Sequence, residues 1–241
     1  MTIQTLIWLI PLPPALAFLL IVLFTNKSKK ASHSVALLGA GLSWLASMIV
    51  FFRAIGTDEL STNPFKDSIA WLPAGDTAIN IGIQIDPLSA VMLFFVGWTV
   101  LMIFIYSIGY HNFGAPAGKE DRPGLPPEGA EVKDSHGHTH RVPSIEPMYS
   151  RFFALISLFA FGMYLLVVSD SLLTLYMGWE IMGLCSYLLI GFWYGKDSAR
   201  KAAIKAFLTT RVGDVFMLLG IAALYTQTGT LNFLQTLGSP E

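Results

Sequence analysis

A single carboxylate in the middle of a membrane-length apolar run constrains this chain more than any other feature. Between Asp170 and Lys196, residues 171 to 195 carry one formal charge, Glu180. About 20 apolar residues suffice for a helix to cross a bilayer. At ~1.5 Å rise per residue, Glu180 lies ~15 Å from Asp170, near mid-membrane. An ionised group there costs at least ~2.5 to 3.5 kcal/mol on insertion scales unless paired, neutralised or hydrated. Glu180 is therefore either a functional group or a structural, hydrogen-bonded carboxyl.

The next apolar segment is also charged, in Lys201-Ala-Ala-Ile-Lys205-Ala-Phe-Leu-Thr-Thr-Arg211-Val-Gly-Asp214. Asp214 lies ~18 Å of helix before Thr226, a depth close to that of Glu180 if 170 and 226 share a membrane face. Arg211 and Asp214, three apart, lie on one helix face and suit a local ion pair. Lys205 and Asp214 are ~180° apart around an ideal helix, so both cannot point at one partner. Lys205 is accordingly expected to face Glu180 as a switchable pair. The plainer alternative is that it snorkels to the interface near Lys201. Arg211 with Asp214 is expected to serve structure or subunit contact.

With 54% hydrophobic and 13% charged residues, the composition is that of an integral membrane protein, since soluble domains are about 25% charged. A net charge of −1 offers no basic face for nucleic acid. The lone Cys185 is expected to be a small packing residue.

The expected fold is all-α, a polytopic bundle of about six transmembrane helices. Residues 1–111 hold the first three, with an exterior loop near 53–86. Residues 112–148 form a polar cytoplasmic insertion, and 149–241 hold the remaining three. Pro11, Pro13 and Pro14 should kink or delay the first helix. Alternation in Ile79 to Ile85 suggests a short hairpin. Asp86 with Pro87 reads as a capped helix start, for a helix reaching about Tyr110. The insertion, rich in Pro, Gly and charge, is expected to be exposed and poorly ordered. Its His136-Gly-His138-Thr-His140 triplet invites a metal reading, but no Cys or rigid helical spacing holds the set, and a His-rich tract without a permanent ligand is the plainer account.

Of the 15 Lys and Arg residues, eleven fall on the loops near 27, 111–151 and 196–201, and only Arg53 and Lys66 on the opposite side. That excess marks the first set as cytoplasmic, with both termini exterior or periplasmic, and fits a bacterial inner membrane.

Gly178-Trp179-Glu180, Gly183-Leu184-Cys185-Ser186-Tyr187-Leu188-Leu189-Ile190-Gly191-Phe192-Trp193-Tyr194, Lys205-Ala-Phe and Thr210-Arg211-Val-Gly213-Asp214 resemble the large antiporter-like membrane subunit (chain L, or subunit 5) of proton-pumping NADH:quinone oxidoreductase, respiratory complex I. Asp86-Pro87-Leu88-Ser89, Ser107-Ile108-Gly109-Tyr110, Tyr149-Ser150-Arg151-Phe152-Phe153-Ala154 and Gly229-Thr230-Leu231-Asn232 extend the similarity. The resemblance implies a proton-translocating subunit coupling quinone reduction to pumping, with Glu180 the essential intramembrane glutamate, Lys205 a membrane lysine near it, and Arg211 and Asp214 charges affecting coupling. It implies no cofactor in this chain, flavin and iron-sulfur clusters being carried by partner subunits, and other complex I membrane subunits as partners, notably adjacent antiporter-like ones. The sequence has no Gly-rich nucleotide loop or cysteine cluster, as that division of labour requires. Two features depart from the family: the His-bearing insertion, and a length less than half that of family members, so an N-terminal portion is expected. A multisubunit sodium/proton antiporter subunit shares the helix pattern, and a structural membrane piece without transport is the third reading.

Overall fold

A computed structural model describes residues 2–58, 60–74, 77–133 and 138–233. Among the described residues, six helical segments are long and apolar enough to cross a membrane: Ile3–Thr25, Lys29–Ile55, Pro87–Tyr110, Tyr149–Val167, Leu172–Ile190 and Asp197–Thr228. The chain is an all-α integral membrane bundle.

The prolines break the first segment into α1 (Ile3–Trp8), α2 (Leu12–Leu20) and a π-helical turn, Ile21–Thr25. Pro14 has no N–H to offer the carbonyl of Ile10, four residues earlier. The Ser43 hydroxyl of α3 (Lys29–Ile55) donates to that carbonyl instead, at 2.7 Å. Gly39 makes room for this approach, since a Cβ there would lie 3.0 Å from the Pro13 carbonyl oxygen. A kink written in the sequence thus becomes a specific contact between helices.

Two strands follow, β1 (Phe65–Ala74) and β2 (Thr77–Ile85), paired antiparallel with Phe65 opposite Ile85. The hairpin is longer than the sequence suggests, because β1 lacks clean alternation over most of its length. It is anchored where the Trp8 indole N–H donates to Asp67, at 2.9 Å. Helix α4 (Pro87–Tyr110) starts at the expected Asp86 cap, and Ser89 returns the bond in a reciprocal box: Ser89 N–H to Asp86 at 2.7 Å, Asp86 N–H to Ser89 Oγ at 2.8 Å.

The insertion corrects an expectation. Its described residues are folded, not a poorly ordered loop, and include the hairpin β3 (Ala130–Lys133) and β4 (Thr139–Val142), with Ala130 opposite Val142. Asp121 organises the approach by accepting the N–H groups of Gly118, at 3.0 Å, and Glu128, at 2.8 Å. Burial pushes its carboxyl upward, but hydrogen bonds from the Ser144 hydroxyl and from backbone N–H groups hold it below the usual range. The Gly195 N–H donates to the Gly124 carbonyl at 2.8 Å, fastening the insertion to the far end of the bundle. A few short polar side chains can satisfy a whole irregular segment's backbone, which average composition does not register.

Helix α5 (Tyr149–Val167) lies inside the bundle. Tyr149, Phe153, Ala160 and Tyr164 belong to one buried core with Ile7, Ile10, Ala36, Val50 and Leu93, so the core crosses the insertion. Helices α6 (Leu172–Ile190) and α7 (Asp197–Thr228) follow, α6 packing against α5 and α7 against α6. Gly229 closes α7 in the left-handed conformation, φ 71°, which glycine adopts without strain. The chain then turns back, and the Leu172 N–H donates to the Leu231 carbonyl at 2.9 Å.

Candidate functional site

The site forms where α6 meets α7. Ser171 caps α6 by accepting the Thr174 N–H at 3.3 Å, and the helix carries Trp179 and Glu180 to its middle. One side of this turn is fixed against α5. A Cβ on Gly178 would lie 2.9 Å from the Leu166 nitrogen, and one on Gly162 would lie 3.2 Å from the Gly178 carbonyl oxygen. Backbone therefore meets backbone, and Glu180 projects from a helix that cannot easily shift.

Arg211 of α7 forms an ion pair with Glu180. The same guanidinium nitrogen lies 3.5 Å from Asp214 Oδ2. The other Asp214 oxygen accepts the Trp179 indole N–H at 2.8 Å. Asp214 is the most buried member, its side chain 8% exposed against 28% for Arg211 and 25% for Glu180. The guanidinium also stacks on Phe207, 4.6 Å from the ring centre, and that ring meets Tyr187 at 4.9 Å.

Lys205 does not join this group. It is exposed, on a different side of α7, and its carbonyl accepts the Thr209 hydroxyl at 2.8 Å. Arg211 takes the place expected for Lys205, because the Arg211–Asp214 face of α7 is the one turned to α6. Trp179 and Phe207 were not singled out from the sequence. The available signal was an indole donor next to the intramembrane carboxylate, in a helix with few other polar groups.

Charge counting gives the cluster its chemistry. An arginine stays protonated, so two ionised carboxylates around one guanidinium leave one excess negative charge. Taking up one proton would make the cluster neutral. One guanidinium thus lies between two carboxyls and can fully balance only one of them.

At one end of the bundle, Asp170 forms a clasp that sequence reading treated only as a helix boundary. Its N–H donates to the Gly82 carbonyl at 3.3 Å, its carbonyl accepts the Phe233 N–H at 3.1 Å, and Asn232 reaches its carboxylate at 3.4 Å. Burial raises its carboxyl above the usual range. A side chain on Gly82 would overlap the carboxylate, so hairpin, α5–α6 turn and α7 exit are held together here.

The histidine triplet is only partly placed. His136 lies outside the described residues; His138 precedes β4 and His140 lies in it, both exposed. Among the described residues no group of three His, Cys, Asp or Glu side chains is gathered for a metal ion. Cys185 is fully buried in α6.

Two family models match. Residues 71–111 match "NADH-Ubiquinone oxidoreductase (complex I), chain 5 N-terminus" and residues 169–238 match "NADH:quinone oxidoreductase/Mrp antiporter, TM", which includes the whole charge cluster. The chain is 35% identical over 94% of its length to the chloroplastic NAD(P)H-quinone oxidoreductase subunit 5 of Zygnema circumcarinatum, covering 28% of that protein. It is 34% identical over 94% of its length to chain 5 of Synechocystis sp., covering 29%. With the F(420)H(2) dehydrogenase subunit L of Methanosarcina mazei it shares 37% identity over 90% of its length, covering 26%. The chain thus spans under a third of these relatives. Solved structures share the fold, among them the following two. An archaeal membrane-bound sulfane sulfur reductase covers 97% of this chain, itself covered to 39%, at TM-score 0.68 and 19% identity. The Mrp complex of Dietzia sp. covers all of it, itself covered to 21%, at TM-score 0.65 and 20% identity.

Proposed function

We propose that this chain, similar over most of its length to part of the large antiporter-like membrane subunit of the chain 5 (L) type, moves protons within a respiratory NAD(P)H:quinone oxidoreductase. Glu180 is the proton-carrying carboxyl. Arg211 is the mobile counter-charge, and Asp214, fixed by Trp179, is the alternative partner to which Arg211 retreats when Glu180 takes a proton. The observation that carries this reading is one guanidinium between two carboxylates at the α6–α7 contact. A merely structural ion pair would need one acid for one base.

The redox chemistry belongs to partner subunits, with flavin and iron-sulfur clusters, and reaches this chain through neighbouring membrane subunits. On this reading the insertion end, with its excess of Lys and Arg, faces the cytoplasm and both termini face outward, in a bacterial inner membrane. Cysteines at Lys119 and Ser61 test this: the first should react with an impermeant reagent only from the cytoplasmic face, the second only from outside.

The central test is Glu180→Gln in the complete complex. Gln keeps shape and hydrogen bonding but cannot carry the exchangeable charge. Proton pumping and the electron transfer coupled to it should fall strongly while the complex still assembles, and Glu180→Asp should keep part of the activity. Normal pumping stoichiometry in the Gln variant would make Glu180 a structural carboxyl. A sodium/proton antiporter subunit of the Mrp kind is the second reading, favoured by the match of residues 169–238 to a family that includes Mrp antiporters. Proton flux driven by a sodium gradient without any electron donor would select it.

A further inference from the structure

The turn between α6 and α7, which joins the two helices of the charge cluster, is held from outside those helices. Along its length α7 packs on α6, and only 6% of its apolar window is buried within this chain. Its position relative to α6 therefore depends on its two ends. The Asp170 clasp holds one of them. The insertion holds the other.

Glycines let the insertion come close to the turn. A Cβ on Gly124, at φ 88°, would lie 2.5 Å from the Tyr194 ring, and one on Gly195 would lie 2.9 Å from Leu125. Between these two contacts runs the Gly195 N–H bond to the Gly124 carbonyl. Tyr194 also receives the Arg151 guanidinium of α5, 5.7 Å from the ring centre. Phe192, 7% exposed, packs beside Phe152 of α5 at 5.7 Å between ring centres.

Glu146, 1% exposed, is the knot behind this contact. Its backbone N–H donates to the His111 carbonyl at the end of α4, at 3.3 Å, and its backbone carbonyl accepts the Lys29 ammonium at the start of α3, at 3.0 Å. The same ammonium is the counter-charge of its carboxylate. One carboxylate oxygen accepts the Met148 N–H just before α5 and the other the Trp193 indole N–H of the turn, each at 3.2 Å. One residue thus ties the ends of α3, α4 and α5 to the α6–α7 turn. Such a knot resists displacement, because each bond given up leaves a desolvated polar group or charge unpaired.

Helix geometry carries this hold to the charge cluster. From Thr228, beside the Asp170 clasp, α7 runs ~26 Å to Arg211 and ~47 Å to Asp197. If α7 swings as a rod about the clasp, a displacement of roughly 3 Å at Asp197 moves Arg211 by roughly 1.6 Å. A shift of that size takes a hydrogen-bonded ion pair beyond bonding distance.

We propose that Glu146 and the segment at Gly124 form a brace that fixes the α6–α7 turn and so sets the separation of Glu180 from Arg211. Glu146 and Trp193 are then positioning residues for the proton step, a role that rests on the function proposed above.

Hydrogen–deuterium exchange of the resting complete complex reads the brace without reference to transport. Amides of residues 191–196 should exchange about tenfold faster in Glu146→Gln than in wild type, and about threefold faster in Trp193→Phe, which removes only the indole donor. Glu131→Gln, on the exposed part of β3, should leave them unchanged. Unchanged exchange in both Glu146→Gln and Trp193→Phe would overturn the brace, and Trp193→Phe carries every measurement if Glu146→Gln does not assemble. The positioning role is read from the infrared carboxyl band of Glu180 in the resting complex, isolated by difference against Glu180→Gln. That band should shift in the two brace variants and stay in place in Glu131→Gln, while protons pumped per electron by the assembled brace variants fall at least about threefold. A loosened turn with an unmoved band would overturn the positioning role. A moved band with normal pumping would sink the proton-carrying reading of Glu180 and leave the brace standing.

Discussion

Helix α6 has two seams of opposite construction. Against α5 it is glycine on backbone, with Gly162 and Gly178 leaving no room for a side chain. Against α7 it is charge on charge, with Glu180, Arg211, Asp214 and the Trp179 indole. The partners differ as much: 56% of the apolar window of α5 is buried within the chain, but only 6% of that of α7. The proposed proton-carrying role uses both kinds of seam. Van der Waals packing has one good arrangement and holds the carboxyl in place. A guanidinium between two acids can pair with either and, on the proposed function, follows the proton.

The largest effect should come from breaking the packed seam. Gly178→Leu forces a side chain into the backbone of α5, and overpacking of this kind costs ~1–3 kcal/mol or more. The variant should fail to assemble on native gels of membrane extracts, while Gly183→Ala, whose added Cβ would meet only the Arg211 guanidinium at 3.8 Å, should assemble normally. Equal assembly of both would mean that the glycine contact is incidental.

Next comes the charged seam. Removing one partner of a desolvated ion pair costs ~3–5 kcal/mol, so Arg211→Gln should lower pumping by at least about tenfold. Arg211→Lys restores the charge without the fork and should recover only part. Lys205→Gln, on the exposed side of α7, should do less than either in this chain's own chemistry; a loss matching Arg211→Gln would place the working cation at Lys205 after all.

A smaller, pH-dependent effect belongs to the clasp at which both seams end. Burial raises the folded-state pKa of Asp170 above its ordinary 3.8. A carboxyl so raised contributes stability that is fully present below 3.8 and lost as pH rises through the folded value. Asp170→Asn should therefore flatten the decline in thermal stability with rising pH and be at least as stable as wild type at pH 7. The smallest effect is expected at Cys185, buried in α6 away from both polar clusters: Cys185→Ala should cost about 1 kcal/mol or less and leave pumping unchanged.

Much of this was legible in the residues. Apolar runs bounded by charges gave all six helices, Asp86 and Pro87 gave the start of α4, and the cost of an intramembrane charge singled out Glu180. Helical angles put Arg211 and Asp214 together and Lys205 elsewhere. Which of these faces meets α6 is a tertiary fact, so the partner of Glu180 was not readable. The β1 strand lacked a clean period. The insertion's order rests on individual residues such as Asp121 and Glu146, whose effect depends on folded neighbours and not on composition.

Isotope-edited infrared difference spectroscopy of the complete complex, comparing wild type with Glu180→Gln, tests the central claim most directly. The account predicts a carboxylate band of Glu180 that gives way to a protonated carbonyl band during turnover and is absent from the Gln variant. A Glu180 that stays ionised through the whole cycle, with pumping intact, would contradict it.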